Sequence, residues 1–269
     1  MALKLAAVAT VQSTSFEAVA VRENFEQNVR LIKELGYDGV ELAVRNPAQV
    51  DADAIASAIA DCKLQVPAIG TGQAYLEEGL SFADPDPGVR RGAVQRIKEH
   101  VVFAKRFDAQ VIIGLIRGTC QNRDERNEAL DRVRECLTEC ASYGGQHGVQ
   151  LVLEPLNRYE TTLLNNFEQT AEFLDRIKAE NVGILADSFH MNIEEPSMAE
   201  SLLYAGNRIT HVHVSDSNRE APGHGHIDFR AFVKTLKEIG YDGFYSAEIV
   251  PEPDGKTAIA DAIQHMRSL

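Results

Sequence analysis

Leu151-Val152-Leu153-Glu154-Pro155, a segment of helical period over 167–177, and then Val182-Gly183-Ile184-Leu185-Ala186-Asp187 are the part of the chain that decides its fold. Two short runs, apolar until a closing acid, flank one helical pattern. Strands covered on both faces read as continuous apolar runs, and a helix between two of them makes a parallel β–α–β unit. The unit repeats in both directions. Apolar runs occur at 3–9, 40–44, 65–70, 111–116, 150–154, 182–187, 209–214 and 244–250. Helical patterns lie near 23–35, 53–62, 88–107, 123–147, 167–177, 198–205, 228–239 and 256–266. Eight such rounds in 269 residues predict an α/β chain folded as a single (β/α)8 TIM barrel over 1–269, a fold for which about 250 residues is typical.

An internal repeat supports this organisation. Lys33-Glu34-Leu35-Gly36-Tyr37-Asp38-Gly39 returns as Lys237-Glu238-Ile239-Gly240-Tyr241-Asp242-Gly243. In each copy the first glycine stands where a helix end wants a left-handed residue, and an apolar strand follows. No linker or compositional break points to a second domain.

Composition excludes several classes of function. The chain is 44% apolar and 25% charged, ordinary for a globular protein, and no apolar run reaches the roughly 18 residues of a membrane span. The run at 3–9 is short and reads as a first strand rather than a leader. Forty acidic residues against 27 basic ones give a net charge of −13, with no basic block to meet a phosphate backbone, so nucleic acid is not an expected partner. The four cysteines form no Cys-x-x-Cys pair and suit buried thiols in a reducing cytoplasm. Association into a homo-oligomer is expected only on general grounds.

In such a barrel the chemistry sits at the C-terminal ends of the strands. Four successive runs put Glu154, Asp187, His213 and Glu248 at one mouth. Three carboxylates and an imidazole in one cleft repel unless a divalent cation neutralises them, and oxygen-rich ligation with one imidazole suits Mn2+, Co2+ or Mg2+ better than a thiolate-type zinc site. His211 points to the same side of its strand as His213, as a rival ligand or a supporting partner.

Three further strings carry a resemblance. Glu154-Pro155-Leu156-Asn157-Arg158-Tyr159-Glu160, Asp187-Ser188-Phe189-His190-Met191-Asn192-Ile193-Glu194-Glu195 and His213-Val214-Ser215-Asp216-Ser217-Asn218-Arg219 resemble the ketose 3-epimerases of the xylose-isomerase-like barrels. Ile69-Gly70-Thr71-Gly72-Gln73-Ala74-Tyr75 and Val111-Ile112-Ile113-Gly114-Leu115-Ile116-Arg117-Gly118 look like the 5-keto-L-gluconate epimerase branch of that family. The resemblance implies one metal ion on Glu154, Asp187, His213 and Glu248, Mn2+ or Co2+ before Mg2+, with substrate oxygens held by Glu160, His190 and Arg219 and with Gln73 as a further substrate-binding residue. It implies inversion of the carbon beside a ketone through an enediolate, with Glu154 and Glu248 moving the proton on opposite faces.

Three other readings share some of these features. An aldose–ketose isomerase would use the same metal chemistry on a shifted substrate. A DNA-repair endonuclease of the superfamily would need more histidines near 70–73 and 116–117 and a basic face. A non-catalytic sugar- or metal-binding barrel would dispense with one of the two glutamates. Substrate charge turns on Arg117, read as the end of the run at 111–116, with Arg45 as a second cation at the rim. The chain has no tryptophan, where neutral-sugar epimerases resemble an aromatic-walled pocket. A guanidinium there would take a carboxylate in a bidentate grip. The expected substrate is therefore a keto-acid sugar such as 5-keto-L-gluconate or D-tagaturonate.

Overall fold

The computed structural model describes residues 2–177 and 179–269, apart from the Arg123 side chain. Eight parallel strands close into a barrel in sequence order, each pairing with the next and the last with the first. They are β1 (Lys4–Thr10), β2 (Gly39–Ala43), β3 (Ala68–Gly70), β4 (Gln110–Ile113), β5 (Leu151–Leu153), β6 (Val182–Asp187), β7 (Ile209–Val214) and β8 (Phe244–Ala247). The outer helices are α1 (Phe25–Glu34), α2 (Ala52–Asp61), α3 (Gly72–Glu78), α4 (Pro87–Lys105), α5 (Arg126–His147), α6 (Phe167–Ile177), α7 (Ser188–Glu194), α8 (Met198–Ala205), α9 (Phe229–Glu238) and α10 (Gly255–Arg267). Each repeat copy ends a helix as expected: Gly36 and Gly240 take φ of 90° and 82°, which a side chain would strain.

Several boundaries differ from the sequence reading, each for a local reason. β3 starts only at Ala68 because Pro67 offers no N–H to the ladder. β4 stops at Ile113, since Gly114 breaks the extended conformation (φ −98°, ψ −112°) and Leu115–Arg117 form a single 3-10 turn. β8 ends at Ala247, after which the Val250 N–H leaves the sheet to donate to the Arg219 carbonyl. The short helices α3 and α7 were not anticipated. At the head of α7 the Asp187 side chain accepts from the Phe189 and His190 N–H groups through Oδ1, the cap that starts the helix.

The pleat distributes the side chains in two sets. Val40, Leu42, Ile184, Ala186, Val212, Val214, Tyr245 and Ala247 join the large apolar cluster under the helices. Their neighbours in sequence face the barrel interior, where Ala68, Ile112, Val152 and Leu185 form a separate small core. One period above these interior residues stand Gly70, Gly114, Glu154 and Asp187. The mouth is thus ligand-rich over β5–β8, whereas Val8, Ala43, Gly70 and Gly114 keep the β1–β4 half open.

Candidate active site

Glu154 and Glu248 are the first residues beyond β5 and β8, Asp187 closes β6, and His213 lies near the end of β7. The structure brings one ligand atom from each of the four within 4.8 Å of the others. His213 Nδ1 lies 3.6 Å from Glu154 Oε1, 3.6 Å from Asp187 Oδ2 and 3.8 Å from Glu248 Oε2. Ligands at about 2.1 Å from one ion stand roughly 3.0–3.6 Å apart, so the set is close to coordination spacing. Glu154 Oε1, Asp187 Oδ2 and His213 Nδ1 are also buried without a hydrogen-bond partner. Uncompensated buried groups of this kind are costly, and a divalent cation satisfies all three at once. The four residues can therefore hold one divalent metal.

Electrostatics within the cluster are uneven. Burial, then the charges of Glu154 and Asp187, push Glu248 up to about 8 against the pull of His213 and Arg219. Burial also opposes ionisation of Asp187, but the neighbouring His190, His213 and Arg219 hold it below the usual carboxylate range.

Glu41 lies inside β2. Its Oε1 lies 2.9 Å from His213 Nε2 and its Oε2 lies 2.6 Å from His211 Nε2, with all three side chains buried. Those spacings are hydrogen bonds, too short to bracket a cation. The carboxylate accepts from His213 Nε2–H and leaves Nδ1 facing the cluster, where a metal ion would take the place of the second proton, the arrangement that makes imidazole a good ligand. His211 is thereby a neighbour of Glu41 rather than a fifth ligand. Its only sequence signal was an acid at an interior-facing position of an apolar strand. Glu41→Gln, which can accept from one imidazole but turns an amide N–H toward the other, should weaken divalent-metal binding by about 10- to 100-fold in titration calorimetry. Unchanged affinity would show that Glu41 does not orient the ligand.

His190, Arg219, Glu160 and Gln73 line the same cavity. Asn157 Oδ1 accepts from the Tyr159 N–H at 2.9 Å, and its Nδ2 reaches Glu160 Oε1 at 3.1 Å and His190 Nδ1 at 2.8 Å. His190 Nδ1 is therefore an acceptor, and its proton sits on Nε2, 3.9 Å from both Glu154 Oε1 and Asp187 Oδ2. Burial pulls its pKa down to about 4, so this is a neutral donor aimed at the cluster. Arg219 takes a left-handed φ of 66° and donates to Glu160 at 2.9 Å and Glu248 at 3.1 Å, with its guanidinium carbon 4.9 Å from the Phe189 ring centre. Gly114 has a specific reason to lack a side chain, since a Cβ would stand 2.5 Å from Glu154 Oε2.

The two rim cations are a correction. Arg117 is fully buried in the 3-10 turn after β4, not at a strand end. It donates to the carbonyls of Leu163 at 3.1 Å, Leu164 at 3.3 Å, Gly114 at 3.4 Å and Glu154. Burial lowers its pKa to about 10 against the charges of Glu154 and Glu160. Its guanidinium thus props the chain leaving β5 from behind and has no face open to substrate. Arg45 lies outside the cavity lining, 3.6 Å from Glu78, which also takes Arg96 at 2.8 Å. Arg158 likewise pairs with Glu194 at 2.9 Å on the surface.

Comparison with known proteins places these features in a family. Residues 29–269 match the model described as xylose isomerase-like TIM barrel. The chain is 30% identical over 257 residues to the L-ribulose 3-epimerase of Mesorhizobium japonicum, covering 93% of this chain and 85% of that one. It is 28% identical over 260 residues to the 3-dehydro-D-guloside 4-epimerase of Escherichia coli, covering 91% and 95%. The crystal structure of a D-allulose 3-epimerase from Methylomonas sp. in complex with D-allulose superposes with a TM-score of 0.85 over 99% of this chain and 97% of that one, at 23% identity, a likeness of fold. Among the described residues no helix is long and apolar enough to cross a membrane.

Proposed function

Because the chain belongs to the xylose isomerase-like TIM barrel family, and its relatives are carbohydrate epimerases, we propose that it is a divalent-metal-dependent ketose epimerase inverting the carbon beside the ketone. The observation that carries this reading is the arc of Glu154, Asp187, His213 and Glu248, three of whose ligand atoms are buried and unpartnered. When bound there, Mn2+ or Co2+ supplies Lewis-acid polarisation of the ketone.

The protein's own groups account for the proton. Glu154 and Glu248 are the two ends of the arc, three strands apart in the ring, so they flank a sugar seated between them. One removes the proton from one face and the other returns it to the opposite face of the planar enediol. The His190 Nε2–H and the Arg219 guanidinium donate to the oxygens beside the reacting carbon and hold it in register.

The narrower reading, an acid sugar of the 5-keto-L-gluconate or D-tagaturonate type, rested on Arg117 and Arg45. Both are engaged elsewhere, and Arg219, the cation in the cavity lining, is already paired with two carboxylates. A neutral ketose fits this cavity better. Incubating the Mn2+-loaded protein in D2O with neutral ketoses and keto-acid sugars should place deuterium on the carbon beside the ketone of a neutral ketose, with inversion. Aldose formation would replace the reading with an isomerase. Exchange confined to keto-acid sugars would restore the acid substrate, and binding without any exchange would leave a non-catalytic barrel.

A further inference from the structure

Residues 154–166 join β5 to α6. They carry Glu154, Leu156 and Glu160, which line the cavity, and Asn157, whose amide meets His190 Nδ1 at 2.8 Å. A connection of this length is free to shift unless something ties it down, and one side chain ties both of its ends. Arg117 Nη1 donates to the Glu154 carbonyl where the loop starts, and Nε and Nη2 donate to the carbonyls of Leu163 at 3.1 Å and Leu164 at 3.3 Å where it finishes. The turn that bears Arg117 is itself anchored. The Phe82 and Ala83 N–H groups each donate at 3.0 Å, to the carbonyls of Ile116 and Arg117, and the Thr161 hydroxyl donates to the Gly118 carbonyl at 2.9 Å.

Two observations assign this clamp more than the filling of space. Leu164 stands at a left-handed φ of 55°, which a leucine adopts only where its surroundings over-determine it, and the carbonyls on both sides of that φ are the ones the guanidinium grips. In addition, Glu154 Oε1 is buried with no hydrogen-bond partner, so the direction of its carboxylate is set by its main chain. Glu248 differs, since Arg219 Nη2 meets its carboxylate directly at 3.1 Å. The two glutamates are thus aimed by two different arginines, Glu248 from inside the cavity and Glu154 from behind its backbone.

Building on the ketose-epimerase reading, we propose that Arg117 is a positioning residue for the Glu154 face of the reaction: by closing the loop over 154–164 it holds that carboxylate in line with the proton it moves. A planar guanidinium presents its donors as a rigid fork and can bridge separate carbonyls at once, which an apolar side chain of similar length cannot do. A displacement of about 1 Å from a site outside the chemistry costs on the order of 100-fold.

The test uses Arg117→Met with saturating Mn2+ in D2O and follows deuterium entry into each of the two epimeric ketoses separately. The epimer whose exchange is lost in Glu154→Gln should exchange about 10- to 100-fold more slowly in Arg117→Met, while the epimer served by Glu248 changes much less. Amide hydrogen exchange of the protein without sugar gives a second measure. The Glu160 and Thr161 N–H groups, which donate to the Asn157 carbonyl at 3.1 and 3.2 Å, should exchange about tenfold faster or more in the variant. A merely structural arginine would lower the melting temperature and slow both epimers by the same factor, and that result overturns the proposal. Unchanged amide exchange in the loop overturns it as well. If methionine does not fold, Arg117→Lys takes its place, since lysine keeps the charge without the fork and should show the same one-sided loss. The epimerase reading fails separately, when the wild type exchanges no deuterium into either ketose, and the amide exchange then still judges the clamp.

Discussion

Glu248→Gln should reduce turnover by about 10²- to 10⁴-fold, the usual worth of a positioned proton carrier. Glutamine keeps the size of the side chain but can neither take nor return the proton, and it gives Arg219 Nη2 a neutral acceptor where the wild type offers a carboxylate at 3.1 Å. Glu154→Gln should lose a comparable factor from the other side of the cavity. The two losses need not add, because both residues serve one reaction. Isotope exchange makes the test sharper than a rate alone. With one carboxylate left, the epimer whose proton faces it should still exchange deuterium from D2O while inversion is lost, and the two variants should differ in which epimer exchanges. Either variant retaining more than about a tenth of wild-type turnover would defeat the two-carboxylate mechanism.

Metal removal should abolish turnover and also loosen the fold. Exhaustive chelation leaves the buried carboxylates of Glu154 and Asp187 and the partly buried carboxylate of Glu248 crowded around His213 without the cation that neutralises them. A ligand present at about 100 times its dissociation constant adds roughly 2.7 kcal/mol of stability, so the metal-loaded protein should melt measurably higher than the chelated one. Mn2+ or Co2+ should restore both melting temperature and activity. Asp187→Asn should not respond to either ion at those concentrations, since Asp187 Oδ2 is the oxygen left over for the cluster once Oδ1 has capped α7. Full activity in excess chelator, or a melting temperature of Asp187→Asn that rises with metal as the wild type's does, would remove the metal site.

Some of this site could be read directly from the chain because it depends on strand period and strand ends alone. A parallel strand buried on both faces must be apolar until it reaches the mouth, so the acids after Leu153 and at Asp187 stand out locally, and His213 falls on the interior side by alternation. Glu248 was found from the same pattern, although its strand stops one residue earlier at Ala247. His190 and Arg219 belong to loops, and only the motif around each marked them.

Arg117 shows where that logic ends. Its local sequence is a basic residue closing an apolar run, the same signal that located Glu154, and the sequence cannot tell that Gly114 has already broken the strand or that the carbonyls of Leu163 and Leu164, more than forty positions away, wait to receive the guanidinium. Glu41 is the converse case, an unremarkable acid in a strand until barrel closure sets it against His211 and His213, 170 and 172 positions along the chain. The barrel, and the four polar residues at the ends of β5–β8 that cluster at its mouth, were legible in the chain because hydrophobic period and strand termination are local properties. Only the tertiary structure decided which cation faces the cavity and which carboxylate holds His213, because hydrogen-bond partners are assigned by contacts that exist only once the ring has closed.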